Sequence, residues 1–380
     1  MKLMHLSDLH IGKRVNEFSM IEDQKYILEQ ILKIVDSERP DGVLIAGDVY
    51  DKSLPSVEGV TLFDDFLSGL HKRKVAVFIV SGNHDSAERI NFASRIMEQN
   101  KIYIAGTFDG SMPKIRLEDE HGPVNVYLLP FVKPAMVRPY YPDVETYHDA
   151  VASIIGNTQI DESERNVLVA HQFITAGETS PERTDSENIS IGGIDNIDAS
   201  VFDPFDYVAL GHLHGAQRIG RDEIRYAGSP LKYSFSETRQ KKSVTMVELK
   251  EKTQVSFEKI PLIPIRDMRE IKGPIAKLLD PEVYTKANTL DYIHATLTDE
   301  EDIYDAIGQL RSVYPNIMKL DFENSRMERR EEAETSAEDI VSKNPLELFE
   351  EFFLNQNNKP MKEEQLDIMV KLFETIDRNR

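Results

Sequence analysis

Val75-Ala76-Val77-Phe78-Ile79-Val80-Ser81-Gly82-Asn83-His84-Asp85 runs six apolar residues straight into a group of polar side chains able to hold a metal ion. A bounded apolar run of this length, rich in Val and Ile, reads as a strand buried on both faces. Four further runs repeat the arrangement. Met1–Leu6 leads into Ser7-Asp8-Leu9-His10, and Val43–Ala46 into Gly47-Asp48-Val49-Tyr50-Asp51. Val167–Ala170 leads into His171, and Tyr207–Leu210 into Gly211-His212-Leu213-His214. A sheet whose strands deliver Asp, Asn and His at one end has its site there, where open α/β sheets place one.

Asp8, His10, Asp48, Asn83, His171, His212 and His214 are too many ligands for one ion and suit two. Oxygen and imidazole donors make a borderline-hard site, and a chain with no cysteine offers no thiolate to favour zinc over manganese or iron. Two ions about 3.5–4 Å apart need a shared ligand. A carboxylate can bridge where an imidazole cannot, and Asp48, in a Gly-Asp turn after a strand, is the natural bridge. The members of each doublet, Asp8/His10 and His212/His214, are two residues apart, so extended backbone would turn both side chains the same way. Each motif alone is weak evidence; the ordered set, each member at a strand end, is what carries weight. His5, His71, His121, His148 and His294 lack such a setting and are read as ordinary core or surface residues.

Between the strands, amphipathic stretches such as Tyr26–Val35 and Val60–Leu70 predict helices, as in an α/β sandwich. Ser243–Leu249 and Val255–Ile260, split by Glu251-Lys252-Thr253, predict an antiparallel hairpin closing the second sheet. Thr179–Ser190 is polar and aperiodic and predicts a mobile loop near the metal face. Pro261, Pro264 and Pro274 mark a boundary. Beyond it a small α+β unit is expected, with strands over Asp291–Leu297 and Ile317–Phe322 and a helix over Glu300–Val313 that presents Ile303, Ile307 and Leu310 on one face. At 380 residues the chain exceeds one ordinary core. It shows no signal sequence and no membrane-length apolar stretch, which points to the cytoplasm. The formal net charge of −21 opposes autonomous DNA binding, although the acids concentrate in Glu328–Asp339 and Glu347–Glu351.

The ordered motifs Asp8-x-His10, Gly47-Asp48-x-x-Asp51, Gly82-Asn83-His84-Asp85, His171 and Gly211-His212-x-His214 resemble those of the calcineurin-like metallophosphoesterases. Flanking text is similar to the SbcD-type nuclease branch, in Ser81–Arg89, Asp206–His214 and Arg225–Glu237. Lys52 stands where protein phosphatases of the superfamily carry Arg. The resemblance implies a four-layer α/β/β/α sandwich over residues 1–260, a small α+β capping domain over 261–323, a charged linker over 324–342 and a helical tail over 343–380. It implies one divalent ion on Asp8, His10 and His214, a second on Asn83, His171 and His212, and Asp48 between them, with manganese expected. His84 would face the scissile phosphate as acid or charge stabiliser, with Asp51 fixing its tautomer. Two such ions activate water and offset phosphate charge, so the lack of a Ser or Cys nucleophile motif is no obstacle.

The same resemblance implies a DNA nuclease of repair and recombination. It would act as a 3′→5′ double-strand exonuclease and a single-strand endonuclease on ends and hairpins, and would work in a heterotetramer with an SbcC-type ATPase. A homodimer through the nuclease domain is expected near Ile90, Phe92, Ala93 and Ile96. In the tail, Asn344, Pro345 and Glu347 form a helix start. Leu346, Phe349, Phe352 and Phe353 would share one face of the first helix, and Leu366, Met369, Val370, Phe373 and Ile376 one face of the second. These faces are read as the ATPase docking surface. A small-molecule phosphodiesterase or phosphatase is the alternative, but it has no need of the chain after Ile260. A binding scaffold would have lost ligands, and none is missing.

Overall fold

The computed structural model describes residues 1–177, 179–187 and 196–324, and in the tail 346, 349, 350, 352–354, 360–362, 365, 366, 368–370 and 372. It divides into two compact units, Met1–Asp267 and Met268–Arg380.

The five apolar runs form strands, but they divide between two sheets rather than sharing one. The first sheet is ordered Val255–Pro261, Ser243–Leu249, Lys2–Leu6, Gly42–Ala46, Ala76–Val80, Ile102–Ala105. Its last four strands are parallel, and the hairpin joins antiparallel to Lys2–Leu6, with Leu3 opposite Val247. The hairpin therefore completes the first sheet, not the second. The second sheet runs Gln217–Ile219, Arg221–Tyr226, Tyr207–Gly211, Arg165–His171, Gly122–Leu129, Lys114–Asp119. Its four central strands are parallel, and an antiparallel strand closes each edge.

Alternation along these strands sorts their side chains between faces. Leu3, Leu44 and Phe78 from the first sheet interlock with Val126, Val167 and Ala209 from the second. The opposite face of the second sheet buries Tyr127, Leu168 and Val208 together with Val151 and Ile154 of the Tyr147–Gly156 helix. Helices Ile21–Glu38 and Val57–Lys72 bury Ile27, Ile31, Val35, Phe63, Phe66 and Leu70 and contain both amphipathic stretches expected from the sequence. The result is the four-layer α/β/β/α sandwich.

A buried histidine bridges the two sheets. His5 is fully buried; its Nδ1 lies 2.9 Å from the Tyr207 hydroxyl and its Nε2 3.1 Å from the Leu210 carbonyl. The ring is therefore neutral, with Nε2–H donating to the carbonyl and Nδ1 accepting from tyrosine. Burial lowers its pKa to about 3, from an ordinary value of 6.5. The unfolded chain then binds a proton that the folded one does not. This contribution to stability is intact above pH 6.5 and is lost as pH falls toward 3, by up to about 1.4 kcal/mol per pH unit. Urea unfolding of His5→Gln is expected to show a shallower loss over that window than the parent chain; parallel curves would show that His5 does not carry it.

In the second unit, Met268–Gly273, Tyr292–Leu297 and Ile317–Phe322 form a parallel three-stranded sheet. Its core contains Leu278, Ile293, Leu297, Leu310, Tyr314 and Ile317. The helix expected over Glu300–Val313 is only Ala306–Arg311, because Asp305 enters at φ 46° and caps it through Gly308 N. The described residues of the tail's two predicted helices are helical apart from residues 360–362, and the Phe349 and Phe352 rings lie 6.2 Å apart. Asn344, Pro345, Glu347, Phe373 and Ile376, and all of the charged linker after residue 324, lie outside the described residues. No helix among the described residues is long and apolar enough to cross a membrane.

Candidate metal centre

The carboxyl ends of Lys2–Leu6, Gly42–Ala46 and Ala76–Val80 face those of Arg165–His171 and Tyr207–Gly211, so turns from both sheets meet at one place. The backbone there is not extended. Asp8, His10, Asp48 and His212 have φ of 52°, 44°, 49° and 106°. Each doublet thus converges through left-handed turns, contrary to the alternation expected from the sequence, and such strained positions persist only where the surroundings dictate them. Backbone straps do this: His10 N donates to Asp48 O at 2.9 Å and Asp8 N to Gly47 O at 3.1 Å. Two motif glycines are required by space. A Cβ on Gly82 would meet Asp48 Oδ1 at 2.1 Å, and one on Gly211 would meet the Ala46 carbonyl at 1.8 Å.

The ligand atoms of Asp8, His10 and His214 lie within 4.8 Å of one another, as do those of Asp8, Asp48 and His171. His10 Nε2 and His214 Nε2 face each other at 3.1 Å. Asn83 Oδ1 sits 3.0 Å from His171 Nε2 and 3.1 Å from His212 Nδ1. Asp48 Oδ2 stands between the two groups, 3.3 Å from His171 Nε2 and 3.7 Å from His10 Nε2. All but Asn83 are buried. Buried imidazole nitrogens aimed at one another, and a buried carboxylate within reach of both groups, are a donor set that fits divalent cations.

Charge is balanced tightly here. Burial pushes the Asp48 carboxyl up, but His171, His10 and His84 outweigh it and hold the group well below the usual carboxylate range. Burial lowers His171, but Asp48 and Asp8 raise it to about 9. Burial takes His212 down to about 3 and lifts Asp8 to about 6.

His84 is half-buried beside His10, with ring centroids 5.0 Å apart. Its Nδ1 meets Asp51 at 3.1 Å, but at the backbone carbonyl rather than the carboxylate expected from the sequence. The Asp51 carboxylate instead accepts from Lys13 Nζ at 2.8 Å. A carbonyl accepts only, so Nδ1 carries a proton and the ring is oriented by that bond.

Several supporting residues had no signal in the sequence. Glu237 is fully buried; its Oε1 is 3.2 Å from His214 Nδ1 and accepts from Ser186 Oγ at 2.6 Å. Lys242 Nζ donates to Glu237 Oε2 at 2.6 Å and to the His214 carbonyl at 2.9 Å. Burial raises Glu237, but His214 and Lys242 bring it down to about 2. A carboxylate at Nδ1 fixes the tautomer that turns the Nε2 lone pair toward His10. The His214–Glu237 separation of 23 residues fits no periodic pattern, which hid the pair. Asp85 ties two ligand turns together, accepting from Val49, Tyr50 and Gly82 N at 2.9–3.1 Å. The predicted loop enters here too: Glu187 Oε1 accepts from His214 N at 2.7 Å, while residues 188–190 lie outside the described residues. Glu237→Gln is expected to weaken divalent-ion binding about 10–100-fold, the cost of losing such an outer partner. Calorimetric titration with unaltered affinity would dismiss the clamp.

Two facing sheets that present Asp, Asn and His at their carboxyl ends define a phosphoesterase-type metal centre. The family model for calcineurin-like phosphoesterases matches residues 1–216, and that described as the type 5 capsule protein repressor C-terminal domain, SbcD_C, matches 264–357. The SbcD component of the nuclease SbcCD of Staphylococcus epidermidis is 33% identical over 385 residues, covering 99% of each chain. The chain belongs to the calcineurin-like phosphoesterases and, within them, to the SbcD nuclease-subunit family. It is a metal-dependent phosphodiesterase. Solved structures align more loosely. A dimetal phosphatase from Danio rerio covers 70% of this chain and 98% of its own at 12% identity and TM-score 0.42. The phosphopantetheinyl hydrolase of Mycobacterium tuberculosis covers 60% and 90% at 15% identity and TM-score 0.37. Neither bears on the assignment.

Proposed function

We propose that this chain is the nuclease subunit of a DNA-end-processing complex in the cytoplasm, serving repair, recombination and replication. It hydrolyses phosphodiester bonds at DNA ends and hairpins, as a 3′→5′ double-strand exonuclease and a single-strand endonuclease, with two Mn²⁺ ions and an SbcC-type ATPase. The observation that carries this reading is the convergence of seven donor side chains, Asp48 among them, at one place in a chain 33% identical, end to end, to an SbcCD nuclease subunit.

Asp8, His10 and His214 would hold one ion and Asn83, His171 and His212 the other, with Asp48 shared between them. Bound there, the ions supply an activated water and neutralise phosphate charge. The protein fixes the rest. Glu237 and Lys242 lock His214, and Asp85 locks the Gly-Asp and Gly-Asn-His turns. The His84 ring, oriented by the Asp51 carbonyl, directs Nε2 at the leaving sugar oxygen and, when protonated, gives it a proton. The net charge of −21 leaves duplex binding to a basic partner. Residues 261–323 form the cap and 343–380 dock the ATPase through Leu346, Phe349, Phe352, Phe353, Leu366, Met369, Val370 and Phe373.

The expected dimer surface is modified by the fold. The segment breaks into Ala87–Ile90 and Ser94–Met97 at Ala93, with φ 59°, and Ile90 turns inward. Phe92 and Ile96, 79% and 68% exposed, are left to make a homodimer contact.

Hairpin DNA cleavage with Mn²⁺, with and without the ATPase, tests the reading. Hairpin opening is expected, with ATP-stimulated cutting of duplex ends only with partner. Truncation after about residue 340 should abolish the stimulated cutting and spare single-strand cleavage. A chain that turns over a chromogenic phosphodiester but cuts no DNA in either state would refute it.

A further inference from the structure

Beside the metal centre lies a second cavity of about 420 Å³, one wall of which is His214. Its lining brings together Arg183, the stretch Arg239, Lys241 and Lys242, and Lys259, against a single carboxylate, Glu182. Lys242 is already neutralised by Glu237. The other four make no ion pair among the described residues. Arg183 lies over the Phe173 ring at 4.3 Å, and Lys259 Nζ donates only to the Ala216 carbonyl at 2.8 Å. Burial and nearby Arg225 lower the Lys259 pKa.

In a chain carrying 66 acidic against 45 basic residues, uncompensated cations should not gather by chance. Four cations with no ion pair among the described residues, gathered around one concavity, raise the local potential and draw an anion in. The volume is that of a small-ligand site. No aromatic face lines it, so it recognises charge and not a base.

We propose that this cavity is a phosphate-binding subsite for the nucleotide next to the one whose bond is cut, with Arg239, Lys241, Arg183 and Lys259 contacting its phosphate. The proposal rests on the nuclease reading above and deepens it. It places a DNA strand across His214, with one phosphate at the metal centre and the neighbouring one among the cations. Contacts of this kind are independent of sequence and sensitive to salt.

The test is binding by fluorescence anisotropy of a short labelled phosphorothioate oligothymidylate, which resists hydrolysis, to the full chain loaded with Mn²⁺. Arg239→Ala/Lys241→Ala is expected to weaken binding about tenfold and to flatten the dependence of log affinity on log salt by about 1.4, or 0.7 per lost contact. Lys259→Gln, on the strand Val255–Pro261 and apart from the Arg239–Lys241 stretch, should flatten it by about 0.7 and stands in if the double variant misfolds on thermal unfolding. Affinity and salt slope within error of the parent chain would overturn the subsite. So would an equal loss in Lys72→Ala/Lys74→Ala, which removes the same charge elsewhere. Failure of the nuclease reading shows separately, as a parent chain that binds this probe yet leaves an ordinary oligothymidylate uncut.

Discussion

Asp48→Ala is expected to reduce hydrolysis to background and to drop bound metal below two ions per chain. Asp48 Oδ2 lies 3.3 Å from His171 Nε2 and 3.7 Å from His10 Nε2, and Oδ1 accepts from His84 N at 2.9 Å. One side chain thus touches both ligand groups and the backbone of the proposed acid. Losing an outer partner of a metal ligand costs about 10–100-fold, and losing the shared carboxylate should cost more. Phosphodiester turnover at saturating Mn²⁺, paired with elemental analysis, gives the answer. Turnover near that of the parent chain would end the two-ion assignment.

His84→Ala should separate binding from chemistry. Its ring Nδ1 meets the Asp51 carbonyl at 3.1 Å, and although its ligand atoms lie within 4.8 Å of those of His10 and Asp51, it is not among those grouped with Asp8 or Asn83. The variant should load two ions and lose roughly 10²-fold or more in kcat, the scale of general acid–base help. A fall to one ion would make His84 a ligand instead. Asp51→Asn, which keeps the backbone carbonyl, should leave the His84 tautomer in place and cost far less.

What could be read from the chain was whatever repeats locally. Strands announced themselves as apolar runs, and the candidate ligands as the polar residues that stop them; Asp8, His10, Asp48, Asn83, His171, His212 and His214 are all brought to one place. Partnership between strands was less visible, because nothing in Ser243–Leu249 states that it pairs with Lys2–Leu6 rather than with the second sheet. Backbone handedness was hidden as well: Asp8 and His10 look extended on paper and are left-handed in the fold. Glu237 and its partner Lys242 were missed because a carboxylate that serves a histidine 23 residues away has no sequence spacing to betray it, and Asp85 was read only as a member of its motif, not as the tie between two turns. Glu300–Val313 misled for a simpler reason. Its apolar spacing is helical, but Asp305 can start a helix only after itself.

The proposed ligands stretch from Asp8 to His214, their clamp is completed by Lys242, and the strand that flanks Lys2–Leu6 is made only after that. During synthesis, therefore, the growing polypeptide lacks part of its candidate donor set until His214 has left the ribosome, and lacks the clamp on that histidine until Lys242 follows. A message broken before the His214 codon specifies a fragment without the full set of donors.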